Sequence, residues 1–179
     1  LSFTVEPAHL DEPCRTGESP GEHVERLARG KAEAVAAERP EALVVAGDTV
    51  VVDRGRVLGK PADTDAAVAM LRSLAGHTHR VVSGVALAGP HGVVSGISAT
   101  EVSFGPLDEA LLRAYAATGE PLDKAGGYGI QEAGAALVAE IHGDYYTVVG
   151  FPVRIFLELL ERAGWRYTFT GIEPDPSTP

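Results

Sequence analysis

Residues 80–104 most narrow what this chain can become. Positions 80–88 read as a strand, mostly valine and small residues, Gly89-Pro90-His91-Gly92 is turn chemistry, and 93–104 is a second long strand pattern. Two strands joined by so short a turn must lie side by side and antiparallel, because a parallel return needs a crossover of about a dozen residues or more. Helix patterns flank this hairpin in the sequence. Alternating helices and strands with at least one antiparallel pair predict an α/β fold, with a mixed sheet and flanking helices.

The other elements follow from local signals. Residues 1–5 alternate like a short strand and lead into a polar loop over 6–21. Ser19-Pro20 with Glu22 predicts a helix start; its apolar face carries Val24, Leu27, Ala28 and Val35, and it runs to about Ala37. Residues 42–46 read as a buried strand broken at Gly47-Asp48-Thr49. Residues 50–53 and 56–58, turning at Arg54-Gly55, read as a hairpin. Asp63 or Thr64 caps a helix that stops at Gly76, and Leu107-Asp108 opens another that ends near Thr118. Residues 119–134 form a glycine-rich loop too long for a plain connector. Residues 137–141 read as a strand, Gly143-Asp144-Tyr145-Tyr146 as a turn, and 152–163 as a helix with proline in its first turn. The proline-rich residues 172–179 are expected to be a disordered tail, which leaves 1–171 as a single domain without internal repeats.

Charge and composition limit the partners. The net charge is -10 and the basic residues are scattered, which argues against a nucleic-acid backbone as ligand but permits a small polyphosphate. No apolar run approaches the ~20 residues of a membrane span, and nothing resembles a signal peptide. A single cysteine, Cys14, allows no internal disulfide, so a cytoplasmic location is expected. Of the 15 basic residues only Lys31, Lys60 and Lys124 are lysines. Retention of a compact point charge at three places suits phosphate binding. Chance survival in a GC-biased coding sequence explains the same count.

Three constellations carry candidate chemistry. Asp48 follows an apolar run and Gly47, where a carboxylate could bind a divalent cation or accept a proton from water; alone, it reads equally as a turn cap. Gly59-Lys60-Pro61 presents a lysine from a restricted backbone, or is an ordinary solvated loop. Asp123-Lys124-Ala125-Gly126-Gly127-Tyr128-Gly129-Ile130-Gln131 offers backbone amides at its three glycines, Gly126, Gly127 and Gly129, for an anion, an aromatic face at Tyr128 and a donor–acceptor pair at Gln131 for a base edge. A flexible surface loop is its bland reading. Glu12 lies in a polar loop where acidic residues are usually just solvated, and His77 and His79 lack a third ligand at metal spacing.

In order along the chain, Leu10-Asp11-Glu12, Leu27-Ala28-Arg29-Gly30-Lys31-Ala32, Ala46-Gly47-Asp48-Thr49-Val50-Val51, Leu58-Gly59-Lys60-Pro61, Gly76-His77-Thr78-His79-Arg80-Val81, Gly119-Glu120-Pro121 through Gln131, and Ile141-His142-Gly143-Asp144-Tyr145-Tyr146 resemble the Maf (septum formation inhibitor) family of nucleotide pyrophosphatases. The resemblance covers the chain to about Gly164. It implies two lobes around a central cleft, often a homodimer, and hydrolysis of a nucleoside triphosphate between its α- and β-phosphates. It implies Asp48 as catalytic carboxylate, Glu12 and Asp48 as holders of a divalent Mg or Mn, and Lys31, Lys60 and Lys124 as phosphate ligands. Thr49 and Gln131 match the branch that cleaves dTTP and UTP. The implied alternative is a nucleotide-binding cell-division module with little turnover. The family's opening Ser-x-Ser-Pro-Arg-Arg loop is not in this sequence, so about 20 residues are expected to precede Leu1 in the natural chain.

Overall fold

A computed structural model describes residues 2–176. It holds five α-helices, α1 (Pro20–Glu38), α2 (Thr64–Leu74), α3 (Glu109–Ala116), α4 (Tyr145–Val149) and α5 (Val153–Arg162). The strands are β1 (Val44–Asp53), β2 (Arg56–Leu58), β3 (Thr78–Gly89), β4 (Gly92–Phe104), β5 (Val138–His142), β6 (Trp165–Tyr167) and β7 (Ile172–Pro174). Five strands form one sheet in the order β2-β1-β3-β4-β5, and β6 pairs with β7. The α/β class expected from the sequence is borne out, with helices flanking a five-stranded antiparallel sheet. Among the described residues, no helix is long and apolar enough to cross a membrane.

Local chemistry explains the helix ends. Ser19 caps α1 in a reciprocal capping box with Glu22, and Pro20 occupies the first turn, where a missing N–H costs nothing. Asp63 and Asp108 accept from the amides of Ala66 and Leu111 and cap α2 and α3.

Two compact units share the chain. Unit 1 comprises Leu1–Asp48, Ser83–Ser98 and Phe151–Pro179; unit 2 comprises Thr49–Val82 and Ala99–Gly150. In unit 1 the second half of β3 is buried on both faces, so its apolar run is continuous rather than alternating. Val85 and Leu87 meet Phe156, Leu159 and Leu160 of α5. Ala86 and Ala88 meet Ala28 and Ala32 of α1. The small residues on that second face let the helix approach closely. A Cβ on Gly84 would lie 2.6 Å from the carbonyl oxygen of Val24. In unit 2, α2 and α3 cover the sheet through Val68, Leu71, Leu74 and Leu112 against Val51, Val81, Val102 and Phe104.

Several expectations are corrected. The break at Gly47-Asp48-Thr49 is absent: β1 runs through it, and Asp48 is tolerated inside a strand because Lys31 neutralises it. Residues 2–5 are not a strand, since among the described residues no strand pairs with them, and Leu1 lies outside the described residues. Residues 172–174, expected in a disordered tail, form β7 against β6, with Ile172 and Trp165 both packed on the α5 core of unit 1. Residues 177–179 of that tail lie outside the described residues. The turn expected at 143–146 opens the short helix α4, which Asp144 caps through the amides of Tyr146 and Thr147.

Candidate active site

In unit 1, Lys31 projects from α1 one residue before Ala32, which faces the sheet. Gly30 leaves room for the preceding loop: a Cβ there would lie 3.3 Å from Leu10 Cδ1. That approach lays Leu10-Asp11-Glu12 along the helix. Arg26 fastens the same loop by donating to the carbonyl of Pro13 at 3.0 Å, and His23 meets Glu18 at 3.1 Å. Sequence patterns single out neither Arg26 nor His23, although both face the loop one turn or more before Lys31.

The outcome is a three-residue cluster. Lys31 Nζ lies 2.6 Å from Glu12 Oε1 and 2.8 Å from Asp48 Oδ1. Burial drives the Asp48 carboxyl upwards more strongly than the Lys31 hydrogen bond pulls it down, so it titrates above the usual aspartate value. Burial likewise works against the Lys31 charge, but the bonds to Asp48 and Glu12 outweigh it and hold the ammonium above its usual value. A half-buried carboxylate of raised basicity beside a fixed cation is suited to accepting a proton from water. Glu12 and Asp48 also fit a hard divalent cation. Both carboxylates meet the Lys31 ammonium, and Mg is typically bound through one or two carboxylates plus substrate phosphates. No group of three or more His, Cys, Asp or Glu forms an all-protein cage among the described residues.

Unit 2 gathers the other two lysines. Lys124 Nζ lies 2.9 Å from Asp123 and 3.5 Å from Glu132. The Lys124 hydrogen bond holds Asp123 below the usual carboxylate range, with a smaller contribution from the charge of Lys60. Backbone pairing explains the proximity: the amide of Gly126 donates to the carbonyl of Gly59 at 3.0 Å, tying the glycine-rich loop to the Lys60 turn. Lys60 is exposed and makes no ion pair among the described residues. Thr49 Oγ1 lies 3.5 Å from the carbonyl of Gly150, and Gln131 is exposed just after the buried Ile130.

Two expected ligand groups have other partners. The amides of Gly126, Gly127 and Gly129 donate to Gly59, Lys124 and the Tyr115 hydroxyl, so the loop is not an open anion nest. Gly126 is required instead by packing, with φ +71° and a would-be Cβ 2.6 Å from Val51. Tyr128 is only 6% exposed. Its ring meets Phe104 and His79 edge-on and its hydroxyl lies 2.8 Å from His79 Nε2, so it offers no free aromatic face. A buried polar ring atom needs a partner, and the two side chains supply one to each other. His77 bonds Asp53 at 3.0 Å, whereas the buried Nδ1 of His79 has no hydrogen-bond partner among the described residues.

Residues 1–163 match the family described as "Maf-like protein". A protein of Koribacter versatilis named dTTP/UTP pyrophosphatase is 45% identical over 92% of this chain and 85% of its own length. One of the same name from Moorella thermoacetica is 51% identical over 89% of this chain and 84% of its own. A third, from Symbiobacterium thermophilum, is 46% identical over 96% and 88%. With that match spanning both the Glu12–Lys31–Asp48 cluster and the Lys60–Lys124 turn, the chain belongs to the Maf-like protein family.

Proposed function

We propose that this protein hydrolyses nucleoside triphosphates, dTTP and UTP among them, to the monophosphate and pyrophosphate. The observation that carries the reading is the Lys31 ammonium held between Glu12 and Asp48. Phosphoryl transfer asks the protein mainly for charge neutralisation and a positioned water rather than a covalent nucleophile, and this cluster offers an ammonium for the first and a carboxylate acceptor for the second. Asp48 takes the proton of the attacking water; Lys31 orients that carboxylate and adds positive charge. Glu12 and Asp48 would hold a divalent Mg or Mn, which when bound neutralises phosphate charge and acidifies water. Lys60 and Lys124 serve as further cations for the phosphates, and Thr49 and Gln131 supply polar groups for a pyrimidine edge. Three relatives bearing the dTTP/UTP pyrophosphatase name at 45–51% identity support the substrate class. A cytoplasmic homodimer belongs to the same reading, and light scattering tests the dimer.

The test is a product assay. Incubation with dTTP or UTP and Mg²⁺ or Mn²⁺ should release pyrophosphate and the monophosphate. Free phosphate as first product, or tight nucleotide binding without turnover, contradicts the reading.

A further inference from the structure

Tyr115, near the end of α3, has its ring in the core of unit 2 and its hydroxyl directed at the 119–134 loop. That hydroxyl donates to Glu120 Oε1 at 2.8 Å and accepts from the amide of Gly129 at 3.1 Å. Glu120 also accepts from the amides of Ala133 at 3.1 Å and Gly134 at 3.2 Å. One phenol and one carboxylate therefore tie together the loop's beginning, middle and end. The seat is close-packed: a Cβ on Gly134 would lie 2.6 Å from both the Tyr115 hydroxyl and the Gly129 carbonyl oxygen. Burial holds the Tyr115 phenol above its usual range, against the Gly129 bond and with help from Glu120, so the hydroxyl keeps the proton it donates.

The Lys124 stem lies across the residue so held. A Cβ on Gly129 would fall 2.5 Å from Lys124 Cε and 2.7 Å from its Cδ. Where the backbone of Gly129 goes, the room available to the Lys124 side chain goes with it.

We infer that Tyr115 and Glu120 are positioning residues for the hydrolysis: they hold Gly129 in place as the seat on which the Lys124 ammonium is presented to the substrate phosphates. The inference rests on the reading above that Lys124 contacts the nucleotide. A charged side chain fixed before substrate arrives loses less freedom on binding, so the effect falls on substrate affinity. Glu120 and Tyr115 need touch no substrate atom.

The experiment is a double-substitution cycle on the full chain, with dTTP as substrate and Mg²⁺ present. Tyr115→Phe keeps the ring and removes the hydroxyl. It should speed exchange of the Gly129 amide and raise KM about tenfold, with kcat within about twofold, as loss of one hydrogen bond of ordinary strength implies. Glu120→Gln, which keeps one carbonyl acceptor, should retain more affinity than Glu120→Ala. In a Lys124→Ala background, Tyr115→Phe should raise KM by less than about twofold, because contacts that act as a unit are not additive. A full tenfold rise in that background, or an unchanged KM in Tyr115→Phe alone while Lys124→Ala is impaired, overturns the positioning role. A fully active Lys124→Ala overturns instead the phosphate role given to Lys124, and the inference falls with it. Should Tyr115→Phe fail to fold, Glu120→Ala takes its place in the same cycle, and the same two outcomes support or overturn the positioning role.

Discussion

Lys31 Nζ stands 2.8 Å from Asp48 Oδ1, joining the middle of α1 to the middle of β1 through one ion pair. Because burial raises the affinity of Asp48 for a proton and Lys31 lowers it, the two side chains together set the pH at which this carboxylate ionises. Asp48→Asn should therefore cut pyrophosphate release by about 100- to 10,000-fold, the range of a lost general base, with the melting temperature near that of the parent. Lys31→Met should lower the rate and also move the acid limb of the pH–rate profile to higher pH, since removing the cation leaves burial unopposed. An acid limb that stays in place in Lys31→Met would show that Asp48 is not the titrating group.

Metal dependence follows from the donor set. Chelation with EDTA should abolish turnover, and added Mg²⁺ or Mn²⁺ should restore it. Glu12→Gln should raise the metal concentration needed for half-activity about 10- to 100-fold, because half of the carboxylate pair is gone. An unchanged metal requirement in that variant removes Glu12 from the metal site.

His79 gives the fold a pH dependence of known sign. Burial lowers its pKa to about 4, well below the 6.5 of an exposed imidazole. The unfolded chain therefore takes up a proton near pH 6.5 that the folded chain refuses until about pH 4. The stability is present in full above 6.5 and falls as pH drops through that window, by at most about 3 kcal/mol. Urea melts at several pH values should show this decline in the parent and a smaller one in His79→Gln. Parallel curves for the two proteins would mean that His79 is protonated as readily folded as unfolded.

Gly84 sets how closely α1 approaches the sheet in unit 1. Its missing side chain leaves a gap closed by the backbone of Val24, with a would-be Cβ 2.6 Å from the carbonyl oxygen and 2.7 Å from the carbonyl carbon. Backbone cannot step aside as the end of a side chain can. Gly84→Ala should cost about 2–3 kcal/mol, a drop of roughly 5–10 °C in melting temperature. Since α1 carries Lys31, the same shift should weaken turnover in the protein that remains folded.

Much of the fold was legible because its signals are local. Ser19, Pro20 and Glu22 announce the start of α1, Asp63 and Asp108 start α2 and α3, and the Gly89-Pro90-His91-Gly92 turn makes β3 and β4 antiparallel neighbours. These depend on hydrogen bonds within a few residues, which the order of residues specifies directly. The β6–β7 hairpin escaped because two three-residue strands carry almost no periodicity of their own; packing of Trp165 and Ile172 on α5 holds them.

The candidate site divides the same way. Residue types and their order were enough to mark Glu12, Lys31, Asp48, Lys60 and Lys124 as the charged groups to watch. They could not say whether a donor is free or already engaged. That depends on long-range partners: Gly59 for the amide of Gly126, Tyr115 for that of Gly129, and His79 for the hydroxyl of Tyr128. By itself the sequence determined which chemistry is present and where helices and turns begin. Only the tertiary structure decided which polar groups face one another, because a hydrogen bond across 17 or 49 residues is chosen by packing and not by neighbours in the chain.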